Sequence, residues 1–440
     1  LGILKSWTPA LPLLCAVAGL TSACKPSAPT YYQDVQPIIQ AKCEGCHNPA
    51  GIGPFSFESP SDVTSRATLI RGEVTSKKMP PWPPSESCNQ YAQDRSLSDA
   101  EINTLTSWMD SGMQLGDVKT QKTGKANQGM SRIDQTIQMP QPFTPIESPD
   151  DYRCFLLDWT PATSIYVTGF GVRPGSPQIV HHAISYIATP DTVASYEAMD
   201  GADGHPGWTC FGGPNGNGGL GGLDAAPWLG AWAPGSLGND FPADSGVQLA
   251  AGTRLILQVH YNTSVNAPVP DQSTVYLETA NSVKKPAAVL PFVDPDWLNG
   301  SMTIPANSPD TMHNYSMDPT PYMSILTNGV LTDLTGFTIY MSFLHMHTRG
   351  SSILGQVVHA DGSKQCLLDV PQWSFNWQGG YTFSQPVPFV PGDQLYLECH
   401  WNNTAANQPV VDGVQEPPHD LNWGETTEDE MCLEILYLTQ

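Results

Sequence analysis

Residues 336–347 read GFTIYMSFLHMH. β-Branched and aromatic residues crowd this stretch, as a half-buried strand requires. Seven more stretches are of the same kind: TSIYVTGFGV (163–172), IVHHAISYIA (179–188), TRLILQVHYN (253–262), STVYLE (273–278), SSILGQVVHA (351–360), DQLYLECHW (393–401) and MCLEILYL (431–438). Gly, Pro, Asn and Asp bound them, and the chain holds 39 Gly and 41 Pro without a collagen period. This is the pattern of turn-rich antiparallel β-sandwiches. The β-rich part covers about 300 residues, too many for one sandwich. KKPAAVLPFVDP (284–295) interrupts the pattern, so two sandwiches are expected, at 134–290 and 291–440.

Upstream the pattern changes. SDVTSRATLIRGEV (61–74) carries apolar residues at helical spacing, and LSDAEINTLTSWMDSG (97–112) is an amphipathic helix with a Ser98/Glu101 capping box. MPPWPP (79–84) between them cannot be helix. Residues 115–133 are polar, aperiodic and lysine-containing, and read as a linker. Residues 43–47 read CEGCH. Two thiols in this spacing form thioethers to haem vinyl groups and the following His ligates the iron, so Cys43, Cys46 and His47 point to one covalently bound haem c. A redox CxxC or half a zinc site are the other readings. No second CxxC and no βαβ pattern supports them. Met79, fixed by prolines, is the expected sixth ligand, with Met109 and Met113 read as packing residues. The segment 25–114 resembles a class I-type cytochrome c, so the fold class expected is multidomain: a small all-α cytochrome c domain followed by two tandem antiparallel β-sandwich (jelly-roll-like) domains.

The N-terminus reads as an export signal over residues 1–24, with Lys5 before the apolar stretch Ala10–Leu20. Thr-Ser-Ala before Cys24 resembles a lipoprotein cleavage box, which would make Cys24 a lipidated membrane tether; a plain signal peptide is the alternative. The expected location is periplasmic, outer-membrane-tethered or extracellular in a bacterium, an oxidising setting in which several of the ten cysteines should pair. Lys+Arg 19 against Asp+Glu 42 leaves −23, which excludes nucleic acid as a partner.

The histidines carry the chemistry. His345 and His347 are i and i+2 on a strand, so they face the same side and can chelate; an ordinary same-face pair is the alternative. His181 and His182 are neighbours, which normally face opposite sides of a sheet. They share a metal only if they lie trans across it or a bulge re-aims one, with His260 as a third imidazole; otherwise one is core and one surface. Gln258, two residues before His260, shares its face. Met431 by itself reads as a core Met. His205, His313, His359, His400 and His419 read as surface or hydrogen-bonded residues, and the Gly-rich 201–223 as a loop near a site.

HH, LQVHYN, LHMHTRG and TTEDEMC, in that order, together with DYRCFLLD, GWTCFGG, LGAWAPG, FNWQ and LECHW, resemble the copper type II, ascorbate-dependent monooxygenases over roughly 135–440. The resemblance implies one copper on each sandwich across an open, solvent-filled cleft. It implies that His181, His182 and His260 hold an electron-relaying copper, and that His345, His347 and Met431 hold the copper where O2 binds and a C–H bond is hydroxylated. It also implies disulfides Cys154–Cys210 and Cys399–Cys432, and leaves Cys88 and Cys366 without partners. Arg349 stands where the family has a further, non-ligating His. Phe343, Leu433 and Ile435 replace the Arg, Asn and Tyr that contact substrate in the animal peptide hydroxylase, so a peptidylglycine substrate is disfavoured and the pocket is more apolar. The function expected is an exported copper monooxygenase with two copper ions. Its partners would be O2, a small organic substrate and an external donor, a cytochrome or small reductant, that feeds the fused haem. A non-catalytic haem/copper electron-transfer or copper-binding protein is the alternative, and an assembly or adhesion subunit a more distant one.

Overall fold

The computed structural model of the protein describes residues 28–49, 51, 53–124, 129–215, 226–332, 335–411 and 414–440. The export signal and Cys24 lie outside them. Among the described residues no helix is long and apolar enough to cross a membrane.

β-Strands dominate. A 14-stranded sheet runs through both halves of the β region. In its first half the strand Arg254–Asn262 lies between Val180–Ala188 and Asp150–Leu156, all antiparallel. The strand Lys285–Phe292 then pairs with Leu433–Thr439, which pairs with Phe337–His345, which pairs with Gly380–Phe389. A four-stranded sheet, in the order Thr311–Met317, Gln394–Trp401, Gly350–Val358, Lys364–Val370, packs in the C-terminal half. The segment read as an interruption at 284–295 is therefore largely strand. Two of its three prolines, Pro286 and Pro291, are accommodated within the strand, and six consecutive register pairs join it to the C-terminal strand.

This overturns the expected fold class. The β part is not two separate tandem sandwiches, because one sheet crosses between the halves. Ile435 and Leu433 of the C-terminal strand also share a core with Cys154, Tyr186 and Trp228 of the other half. Nor is there a distinct all-α cytochrome c domain. The described α-helices are short, 4–12 residues. Those near the N-terminus (Gln36–Lys42, Pro60–Thr64, Ala67–Thr75 and Asp99–Asp110) pack around Tyr31, Val35, Ile39, Leu105 and Trp108. Between the third and fourth of these helices the chain leaves that cluster and lies on the C-terminal sheet as a strap. Tyr91 is buried in the C-terminal core and bridges Phe383, Trp82 packs edge-on against Tyr381 (ring centroids 5.2 Å), and Ser85 N–H donates to Asp369 O. A disulfide, Cys88–Cys366, pins the strap. The physical reason is local. The prolines of 80–84 prevent helix, and the large aromatic rings of the strap find their apolar partners on the sheet rather than in so small a helical core.

Candidate metal centre

The strand register explains how neighbouring histidines reach one place. Val180 opposes Tyr261 and His182 opposes His260, so His181 is an extra residue in the ladder. Such a bulge re-aims a side chain that strict alternation would turn away. His181 and His182 bring their Nδ1 atoms to 3.2 Å. One nitrogen of each of His181, His182 and His260 lies within 4.8 Å of the others. Asp150 fixes the third ring. A carboxylate only accepts, so His260 Nε2–H donates to Asp150 Oδ1 at 2.8 Å and the lone pair is left on Nδ1. That Nδ1 is buried and has no hydrogen-bond partner among the described residues. Asn262 Nδ2 and Thr427 Oγ1 donate to the same carboxylate and, with His260, hold it well below the usual carboxylate range despite its burial. Thr427 belongs to the loop before Met431, so Asp150 ties the two halves together at the site.

The second set is built on Phe337–His345 and the turn after it. His345 Nδ1–H donates to Gln378 Oε1 (2.6 Å), whose amide is oriented by its own N–H bond to Phe375 O. His347 Nδ1–H donates to Asp429 O (3.1 Å). Both rings therefore keep the Nε2 lone pair free. Glu430 sits beneath them and accepts from the backbone N–H groups of His347 and Arg349 and from the Trp401 indole. Burial pushes its carboxyl up to about 7 against those bonds. Met431 follows directly, 3 % exposed, and lines one pocket with His182, His345 and His347. Cys432, bonded to Cys399, anchors it. Arg349 is buried and pairs with Glu428 at 2.9 Å; it is a structural ion pair and does not line that pocket.

The two sets lie close together: His182 of the first lines the same pocket as His345, His347 and Met431 of the second. The rings of His182 and His345 are 6.0 Å apart, and Phe375 stacks on His181 at 4.2 Å. Burial drives His181, His182 and His347 well below the usual imidazole range and His345 down to about 4. All four are neutral at pH 7, the form that ligates metal. Imidazole nitrogens with one thioether suit copper, the thioether favouring Cu(I). The orphaned His260 Nδ1 and the free Nε2 atoms fit that ion.

Gln258 lines the pocket, as do Gly212 and Gly213 of the Gly-rich loop, whose residues 216–225 lie outside the described ones. Gly207 in that loop has φ +73°, and a Cβ there would meet Cys154 O at 2.1 Å. Cys154–Cys210 closes the loop's base. Of the histidines read as ordinary, His400 binds Asp310 and Glu398, His359 binds Asp393, and His313 binds Thr303 O. Sequence reasoning missed Asp150, Gln378, Glu425 and Glu430 at this site. A carboxylate or amide that supports a ligand carries no spacing signal.

At the other motif, Cys43 and Cys46 follow the helix Gln36–Lys42 and are free thiols. His47 Nδ1–H donates to Phe55 O (3.1 Å) and its ring packs against Phe55 and Phe57, leaving Nε2 as acceptor. Burial lowers its basicity. Met79 follows the helix Ala67–Thr75, half-buried, at the start of the strap.

Residues 300–439 match the family described as copper type II ascorbate-dependent monooxygenase, C-terminal domain. The chain is 25 % identical over 216 residues to DBH-like monooxygenase protein 2 of Mus musculus, covering 47 % of this chain and 31 % of that protein. It is 28 % identical over 218 residues to putative DBH-like monooxygenase protein 2 of Homo sapiens, covering 47 % and 38 %. It thus spans about a third of the length of the curated relatives it matches. Among solved structures, the major capsid protein P2 from Bacteriophage PM2 aligns over 69 % of this chain and 97 % of that one at 10 % identity, with a TM-score of 0.27, too low to imply a common fold. By its sequence matches the chain is similar to the copper type II ascorbate-dependent monooxygenases, through that family's C-terminal domain at residues 300–439.

Proposed function

We propose that the protein is a copper-dependent monooxygenase that inserts one oxygen atom of O2 into a C–H bond of a small organic substrate. The observation that carries this reading is a cluster of three imidazoles, His181, His182 and His260, beside a pocket lined by His182, His345, His347 and Met431, with free ligand nitrogens on the His345 and His347 rings and an orphaned one on His260. The overall change is R–H + O2 + two electrons + two protons to R–OH + water. Copper, when bound, supplies one-electron redox chemistry and activates O2.

The chain's residues do the rest. His181, His182 and His260 hold one ion and Asp150 orients the third ring. His345, His347 and Met431 hold the other, with Gln378, the Asp429 carbonyl and Glu430 fixing their geometry. Phe343, Leu433 and Ile435 give the wall by Met431 an apolar surface for a C–H bond.

We read Cys43, Cys46 and His47 as the attachment of one haem c, with Met79 as the second axial ligand. The unpaired thiols and the carbonyl-bonded His47 ring fit it. The haem would accept single electrons from an external cytochrome or small reductant. Export, with or without a lipid on Cys24, belongs to the same reading, because three disulfides suit an oxidising compartment. The test is to load the protein with copper, supply reductant, isotopically labelled O2 and a substrate panel, and look for labelled alcohol. Label in product that disappears in Met431→Ala supports the reading. Copper binding and haem reduction with no labelled product from any substrate would favour the non-catalytic electron-transfer alternative.

A further inference from the structure

We infer that Glu425 is a specificity-determining residue: its carboxyl takes a hydrogen-bond donor on the substrate, a hydroxyl or an amine, while the apolar remainder lies against Trp228, Phe343, Leu433 and Ile435. The inference rests on the reading of this pocket as the substrate site.

Glu425 lies in the loop between the strands Leu421–Asn422 and Leu433–Thr439. Its backbone carbonyl is held by the Tyr152 hydroxyl at 2.6 Å, so the loop is fixed where the side chain enters the pocket. It lines the same pocket as His345, His347 and Met431. Its Oε1 is sealed from solvent and has no hydrogen-bond partner among the described residues. Asp150 is satisfied by three side chains and Glu430 by three N–H donors, and Glu434, whose Oε2 is also bare, does not line this pocket. A buried native acceptor left bare on a pocket wall asks for a function, since its desolvation is not offset.

The surroundings define the ligand. Among the described residues no Lys or Arg lines the pocket, so a carboxylate-bearing substrate meets no cation from them. The Tyr186 hydroxyl is already turned to Gln258 Oε1. Burial and the charge of Asp429 push the Glu425 carboxyl up to about 8, so without ligand it is a neutral acid at pH 7 that both accepts and donates. An alcohol bonds to it in that form; an ammonium bonds to it ionised.

The probes are toluene, benzyl alcohol and benzylamine, matched in size. Their dissociation constants are measured by ligand-observed NMR on copper-loaded wild type, Glu425→Leu and Glu425→Gln. We expect the wild type to bind benzyl alcohol or benzylamine about tenfold or more tightly than toluene, the worth of one good hydrogen bond. Glu425→Leu should erase that preference, and Glu425→Gln should retain it for the alcohol, since the amide carbonyl still accepts. The amine arm reports whether the bound carboxyl is ionised. No preference in wild type, or a preference that survives in a folded, copper-binding Glu425→Leu, overturns the inference. Because binding is read without turnover, a Glu425-dependent preference with no labelled product would sink the monooxygenase reading and leave this one standing.

Discussion

The two candidate ligand sets differ in how they are held. His181, His182 and His260 sit on paired strands, and their nitrogens converge on one another within 4.8 Å. Asp150, the side chain that accepts a hydrogen bond from the third, is a buried carboxylate. His345, His347 and Met431 come from a strand end, a turn and a loop, supported by an amide, a carbonyl and a carboxylate acting on the backbone. Apolar walls stand beside them. A centre closed by three imidazoles suits passing an electron; one with a soft, weak ligand beside an apolar wall suits meeting O2 and substrate. The difference teaches that the division of labour is written in what surrounds each set more than in the histidines themselves.

The sharpest way to break this comparison is Met431→Ala. Product formation should fall about 1000-fold or more, the scale on which removing one member of a catalytic unit acts, while copper at the three-imidazole set persists. Near-wild-type turnover would mean that the sets do not differ as described. Neither set includes the strap, so Cys88→Ala/Cys366→Ala should cost about 2–4 kcal/mol in chemical unfolding with copper content unchanged. Loss of copper would tie the strap to the metal centre. Asp150→Asn should weaken copper at the three-imidazole set about 10–100-fold in competition with a Cu(I) chelator and spare the other set; equal weakening at both would make them one site.

The smallest effect concerns Glu434, paired with Leu344 in the sheet beneath His345 and bonded to Ser342 on one oxygen. Burial raises its carboxyl to about 8. The folded state then holds a proton that the unfolded state releases above about 4.5. The stability this confers is present in acid and is lost as pH rises through 8. Glu434→Gln should therefore gain on wild type between pH 5 and pH 9, read as the change in the Tm difference between the two across that range. A pH-independent difference would show the carboxyl to be uncharged in both states or charged in both.

Much of the site was legible and much of the assembly was not. His345 and His347 were readable as a pair because i and i+2 share a face whatever the partner strand. His181 and His182 were ambiguous, since the bulge that reconciles them exists only in the register against Tyr261 and His260. Cys88–Cys366, 278 residues apart, gave no signal. The stretch 284–295 was misread because two prolines resemble a break, yet most of it is a strand that joins the halves. The helical segment was misjudged as a free-standing domain because the aromatic residues of 82–91 bury against the distant Tyr381 and Phe383. Glu425 was invisible in an acidic run, WGETTEDE, and its burial depends on packing against distant strands.

By itself, the sequence determined the strand-rich character, the chelating His345/His347 pair, the CEGCH motif and the ligand types, because these follow from local periodicity and side-chain chemistry. Only the tertiary structure decided that His182 comes to one pocket with His345, His347 and Met431, that one sheet crosses both halves and that a strap binds the helices to it. Those outcomes depend on register and pairing between residues hundreds of positions apart, which no local pattern encodes.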